Sequence, residues 1–495
     1  MAHPYPLASV FTEGMRRDID RAMMPGGSVW NLVDFIPDEL GAAASGRGGW
    51  AYSGSAMTGA TKIQSLSYAP FTAGAKLLAI DQEPKLFDAL AGGAAITGTP
   101  TIPAGPPAFH RGKLIIPNND GTTAVTYYDG TTLGTLAGSP PTGKLAAVYK
   151  DHAILANSSA NTNRVWFSAA GDPTSWDTNF GWWDTTGTVT AVGTLLNAIL
   201  IFHADSVERL RGTTPPPGSD MTLEPFLNYG CLDPFSVVSW RNRLVFASSQ
   251  GIYMTDGATD VDLTGNAQMK TYWQSLMAGY SSTWRISAGV YRDHYIVSIN
   301  NGNTLVDCLC VNLLSQSMWR LTNLHGSAFV NVTSSLQEEC YMGMWNAGRV
   351  AKLSPLWSPS ATYKTDGDST VPTPIIETGA FRGYDRLHRR WIQSMGKQKW
   401  RFVYVDHDLR DSASDNPIVT LSYATTPTGA YTNVSGGTLP KTTDFTRKRR
   451  SLNPTIGGAA RSNMLCLKVA VTGPYATAKL YSLEVAYQPI GIGQL

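Results

Sequence analysis

One short pattern of apolar and polar positions recurs along the first two thirds of the chain. An apolar residue is followed by a basic one in most copies, then a turn former, one spacer and an uninterrupted apolar run. It is written as Phe109-His110-Arg111-Gly112-Lys113-Leu114-Ile115-Ile116, and again from Tyr149 to Leu155, Leu195 to Ile201, Trp240 to Phe246 and Tyr291 to Val297. With Gly112, Asp151, Asn197, Asn242 and Asp293 as anchors, the spacings are 39, 46, 45 and 51 residues. Short apolar runs bounded by turn residues are strands, and strand-rich units repeated at that interval predict a β-propeller. Each copy reads as an inner strand with a partner strand behind it: Val125 to Gly130, Arg164 to Ser168, Ser206 to Leu210 and Gly251 to Gly257. An earlier copy begins near Phe71 and a last one runs from Ala328 to Leu353, so six or seven blades are expected over residues 55–360. The Asp129-Gly130 and Asp256-Gly257 dipeptides are expected to supply the positive φ of tight hairpins.

The pattern differs at both ends. Residues 1–54 carry no blade signal; a Pro/Gly-rich stretch surrounds Val29-Trp30-Asn31-Leu32-Val33-Asp34-Phe35-Ile36-Pro37, which reads as an extended arm lying across other surfaces. Trp30, Phe35 and Ile36 are its candidate contact residues, on a blade or on a neighbouring subunit. A stretch rich in Ser, Thr, Pro and Asp runs from Ser358 to Pro374, so residues 361–374 are expected to link the ring to the C-terminal part of the chain. Beyond it, strand-length apolar segments such as Trp400 to Val405, Ile418 to Tyr423, Met464 to Val471 and Ala478 to Tyr487 predict a separate C-terminal β-sandwich over 375–495. One helix interrupts the ring, with Thr264 as its expected cap and Met269, Tyr272, Trp273, Leu276 and Met277 on its apolar stripe. The fold class is therefore all-β.

Composition agrees: 48 Gly and 29 Pro in 495 residues, with 15% charged residues, suit short strands joined by many turns. No apolar run approaches the ~18 residues of a spanning helix, and the N-terminus shows no basic-then-apolar leader. The five cysteines are few and odd in number, and the Cys308/Cys310 spacing is too tight for a zinc pair; buried thiols folded in a reducing cytosol are expected. Charge is divided unevenly. Residues 381–495 hold 16 Lys and Arg against 7 Asp and Glu, a balance of +9, which leaves 23 against 30, or −7, for the rest. The basic clusters Arg386, Arg389, Arg390 and Arg447, Lys448, Arg449, Arg450 are candidate contacts with an acidic protein neighbour; the competing readings are a solvated loop or nucleic acid. Catalytic patterns do not emerge. His110, His152, His203 and His294 fall at different offsets from the repeat anchors, no carboxylate pair is singled out, and neither a Gly-x-Ser-x-Gly elbow nor a phosphate loop occurs. No enzyme activity, cofactor or metal is expected.

Gly171-Asp172-Pro173-Thr174-Ser175-Trp176-Asp177, together with Leu195 to Gly212, resembles the tail hub or nozzle proteins of short-tailed bacteriophages. So do Gly14 to Asp18, Leu32 to Pro37 and Arg47 to Trp50 in the arm. The likeness covers roughly the first 360 residues, and the order of its motifs is more specific than any one of them. It implies a virion protein, assembled in the host cytoplasm, forming a ring that is typically hexameric. That ring extends the DNA exit channel below the portal and adaptor and retains the genome until ejection. The implied partners are its own copies, the adaptor or connector, a tail fibre or tip protein, and double-stranded DNA in transit. A minor tail or tail-tip protein of a long-tailed phage and a glycan-binding or glycan-hydrolysing propeller remain as alternatives.

Overall fold

The computed structural model describes residues 3–6, 14–21, 24, 28–37, 44–47, 49–216, 218–302, 304–334, 337–353, 366, 374–382, 384–385, 390–391, 398–409, 418–426, 428–439, 448–452, 461–462, 464–472 and 478–489. It is a β-propeller joined to further β-sheet at the C-terminal end. Six blades have four strands each, and a three-stranded sheet (Ile63–Phe71, Gly74–Asp81, Leu86–Asp88) completes the circle between the sixth and the first. Blade one starts at Ala108–His110, two at Leu145–Tyr149, three at Ala191–Thr194, four at Val238–Trp240, five at Trp284–Tyr291 and six at Gly326–Ser334. From blade one onwards these first strands pack on one another round the ring, and Gly326–Ser334 packs on Ile63–Phe71 to close it.

This placement corrects the reading of the repeat. The apolar run is the second strand of each blade, and the innermost strand is the one before the turn. The motif was legible because it straddles a hairpin. Arg111-Gly112, Lys150-Asp151, Arg241-Asn242 and Arg292-Asp293 all have positive φ at both positions, the type I′ geometry whose twist matches the strands it joins. The second strands are uninterruptedly apolar because blades cover both of their faces: Leu114 to Ile116, Ala153 to Ala156 and Ile199 to Phe202 are all buried. Of the Asp-Gly pairs, only Gly130 and Gly257 take positive φ. Asp129 and Asp256 instead accept backbone N–H bonds within four-residue loops, from Thr131 and Thr132 and from Ala258 and Thr259.

The helical segment has two pieces, Leu263–Asn266 and Lys270–Met277. Its cap is Asp262, whose carboxylate accepts from Gly265 N at 2.7 Å; Thr264 lies inside the helix, its hydroxyl donating to the same oxygen. The carboxylate can reach the free N–H groups of the first turn from outside it, which a residue already in the turn cannot. Met269, Trp273 and Met277 are buried, with Tyr272 and Leu276 packed beside them.

The arm is not peripheral. Trp50–Ser53, assigned to it from sequence, is the fourth strand of blade six, paired with Val350–Leu353. Val29–Val33 lies parallel to Met318–Leu321 of blade five and antiparallel to Ile375–Arg382. The result is one nine-stranded sheet that leaves blade five, crosses the arm strand and continues through Ile375–Arg382, Met464–Thr472, Ile418–Ala424 and Thr432–Leu439. A second C-terminal sheet is built on Ala478–Pro489 and Gln398–Leu409, and it too takes arm strands, Phe35–Pro37 and Ala44–Gly46. Val405, Leu480 and Leu483 from this sheet share a core with Val419, Leu421, Leu465 and Val469 from the first. The C-terminal sheets are thus hydrogen-bonded into the rest of the chain, not appended to it.

Candidate functional site

The arm builds the most elaborate polar site of the described residues. Between Val33 and Phe35 the chain turns at Asp34, which holds φ 52° and is fully buried. Its backbone N–H donates to Arg320 O, and its carbonyl accepts from Arg47 N. The carboxylate accepts from Arg47 Nε at 2.8 Å and Thr322 N at 2.9 Å. Arg47 then forks onto Asp366, Nη1 to Oδ1 at 2.9 Å and Nη2 to Oδ2 at 3.0 Å, while Asn323 Nδ2 also donates to Oδ2 at 3.0 Å. One guanidinium so joins the arm, blade five's outer end and Asp366 in the stretch between ring and C-terminal sheets. Burial pushes the Asp366 carboxyl up, and Arg47 opposes that. Geometry this complete is what makes a buried charge tolerable.

Along the arm's other flank, cations cover aromatic faces. Arg17 sits 4.6 Å and Arg21 5.7 Å from the Trp30 ring centroid, and Arg21 also lies over Tyr431 at 5.5 Å. Asp18 accepts from Lys270 N and Thr271 N, capping a helix that comes 252 residues later. Of the sequence candidates, Phe35 and Ile36 are fully buried in this chain's own core, and Trp30 is half-buried between arginines. Arg386, Arg389 and Arg447 lie outside the described residues, as do the side chains of Arg390, Lys448, Arg449 and Arg450. The backbone of Lys448–Leu452 is a strand paired with Gln398–Leu409, so that part of the basic run is not a loop.

The repeat's turns carry a second arrangement. Arg111 of blade one forms a two-pronged pair with Asp151 of blade two, Nε to Oδ1 at 2.9 Å. Asn242 of blade four accepts from Leu196 N of blade three at 2.9 Å. Asp293 of blade five accepts from Trp240 Nε1 at 2.8 Å and from Arg241 of blade four at 3.0 Å. The first turn residue thus reaches the second turn residue of the next blade, which gives the basic and acidic positions of the motif a purpose the sequence did not reveal. The histidines are engaged locally: His203 Nε2 with Glu208 at 3.2 Å, His152 Nδ1 with Ser168 O and His294 Nδ1 with Arg292 O. Burial pushes His110 down. Among the described residues no group of three or more ligating side chains is placed to hold a metal, and no helix is long and apolar enough to cross a membrane. All five cysteines are free and buried.

Gly171 to Asp184 forms the outer edge of blade two. The fourth strand is split into Asp172–Trp176 and Trp182–Asp184, both paired with Arg164–Ala169, and the chain between them bulges outward. Asp177 Oδ1 accepts from Asn179 N and Phe180 N, and Asp177 O from Gly181 N at 2.8 Å. Arg164 stacks 3.5 Å from the Trp182 centroid and pairs with Asp184 at 2.6 Å. This scaffold holds Phe180 at its tip, 68% exposed. Inside the edge, Thr174 O approaches Gly138 of blade one so closely that a Cβ there would lie 1.5 Å from it, so only glycine fits.

No protein-family model matches the sequence, and no curated protein matches it either. Solved structures align with it at low identity and TM-scores below 0.5. The extracellular domain of the hybrid two-component system BT4673 from B. thetaiotaomicron aligns at 9% identity and TM-score 0.41, over 93% of this chain and 63% of that one. The Saccharomyces cerevisiae Sqt1 aligns at 10% identity and TM-score 0.38, over 66% and 95%. BBS1N, solved in complex with ARL6DN, aligns at 11% identity and TM-score 0.38, over 62% and 98%.

Proposed function

We propose that the protein is a structural subunit of a phage tail, one of a closed ring that extends the DNA exit channel and retains the genome, and that it is not an enzyme. The observation that carries this reading is the Phe180 projection. The segment that resembles tail nozzle proteins, Gly171 to Asp177, leads directly into a rigid knob on the outer strand of a blade, where a neighbouring subunit would meet it. A ring needs a heterologous contact, one patch on each subunit docking into a different patch on the next. An exposed aromatic held by Asx and backbone hydrogen bonds supplies such a patch with little ordering cost. Burying it would contribute about 1.5–3 kcal/mol per interface. The acidic balance outside residues 381–495 also suits a channel, since a basic wall would retain phosphate through counterion release. The basic C-terminal region then faces an acidic neighbour, the adaptor or a fibre protein.

The test combines purified protein and particles. Light scattering and negative-stain imaging of the full chain are expected to show rings at high concentration, and antibodies are expected to label the particle's tail. Phe180→Asp should leave the melting temperature unchanged yet abolish ring formation and yield heads without distal tails. A wild-type protein that stays monomeric and labels no part of the tail would refute the reading.

A further inference from the structure

The seam where the ring closes contains an open pocket of about 330 Å³, lined by Thr61, Lys62, Gln82, Trp345 and Asn346. Lys62 and Gln82 flank the hairpin of the three-stranded sheet, and Trp345 comes directly after the second strand of blade six. Lys62 Nζ lies 4.4 Å from the Trp345 ring centroid but, among the described residues, makes no ion pair or hydrogen bond. Arg285, also over that ring at 5.4 Å, does have a carboxylate, Asp233, at 3.7 Å. Burial pushes the Lys62 ammonium down, and no charged neighbour acts to raise it. Its ring platform is fixed: Trp345 Nε1 donates to Gly302 O and Trp345 N to His325 O.

We propose that this pocket binds a small organic phosphate, its anion held by Lys62. An unpaired ammonium beside a hydroxyl and two carboxamides offers one charge and several neutral donors, a set that suits a tetrahedral oxyanion better than a planar one. The volume lies at the low end of ligand pockets and exceeds what a bare phosphate fills, which leaves room for a short organic group. Because the walls come from the first sheet and the last blade, the ligand bridges the two ends of the ring. Binding to the closed ring alone therefore stabilises closure.

Isothermal titration of the full chain with glycerol 3-phosphate, inorganic phosphate, acetate and glycerol at constant ionic strength tests this. Glycerol 3-phosphate is expected to bind more tightly than inorganic phosphate, with no heat from acetate or glycerol. Lys62→Met, which keeps the stem over Trp345, should weaken binding at least about tenfold, the loss of one charge-assisted bond. An unchanged melting temperature in chloride certifies the variant's fold, and if it fails, Asn346→Ala on the exposed rim provides the comparison. No heat from glycerol 3-phosphate, equal binding by the folded Lys62→Met protein, or binding of acetate in preference to phosphate would each overturn the proposal.

Discussion

Replacing Arg47 by Met would remove one cation and leave two carboxylates, Asp34 and Asp366, in a site that water does not reach. Met preserves most of the aliphatic stem, so the loss is electrostatic and not a large cavity. Removing one partner of a buried pair costs about 3–5 kcal/mol, mainly because the remaining charge is stranded. That is a large share of the ~5–15 kcal/mol by which folded proteins outlast their unfolded state. Urea denaturation monitored by tryptophan fluorescence at pH 7 should register the full deficit as a lower midpoint. The deficit should then shrink on acidification. A carboxyl raised in the folded state binds its proton before the unfolded chain does, so stability falls as pH rises between the ordinary value near 3.8 and the raised one. Without Arg47 the rise is larger, and each proton taken up only by the native state recovers at most about 1.4 kcal/mol per pH unit. Adding Asp34→Asn and Asp366→Asn should restore most of the pH 7 stability. A deficit under about 1 kcal/mol, or one that widens in acid, would refute the claim that this cluster is a closed electrostatic unit.

The same geometry sets three further outcomes. Proteolysis between Leu353 and Pro374 should leave the two pieces associated on gel filtration, because Val29–Val33 hydrogen-bonds to both sides; release of a free C-terminal fragment without denaturant would contradict the continuous sheet. Asp18→Ala should lower stability by about 1 kcal/mol through loss of the helix cap, read as a urea midpoint shift, and an unchanged midpoint would remove the arm's capping role. Ellman's reagent should find no fast thiol in the native protein and five after unfolding, since burial pushes Cys231 up to about 12 and Cys308 and Cys310 well above their ordinary value; any rapidly reacting thiol in the folded state would refute it.

The propeller was legible because its physics is local. Second strands covered on both faces must be apolar throughout, and in blades one, two, four and five a type I′ turn between them and the inner strands demands residues tolerant of positive φ, so these blades left the same signature. Misplacing the inner strand came from reading turn residues as strand, since only two residues separate the arms of the hairpin. The arm's strand pairing was not legible: the apolar residues of Val29 to Val33 suggest an extended segment against other surfaces but not that its partners lie near 320 and 376. Its polar centre did leave a trace. Asp34 interrupts an apolar run and Arg47 precedes Gly-Gly-Trp50, and a lone charge inside a buried stretch needs a counterion. Nothing in sequence indicates that the second carboxylate, Asp366, comes from a segment that reads as a solvated linker.

Closure of the ring by Trp50–Ser53 imposes an order in time. This strand emerges from the ribosome early, yet its partner Val350–Leu353 is made about 300 residues later, a delay of roughly 15–60 s at ordinary elongation rates. Throughout that interval Trp50–Ser53 lacks its partner strand, while the blades between accumulate in sequence. Trp50–Ser53 waits for a strand made much later, so the ring cannot close until Val350–Leu353 has left the ribosome. Synonymous changes that slow elongation after blade one should therefore lengthen exposure to chaperones without altering the final fold.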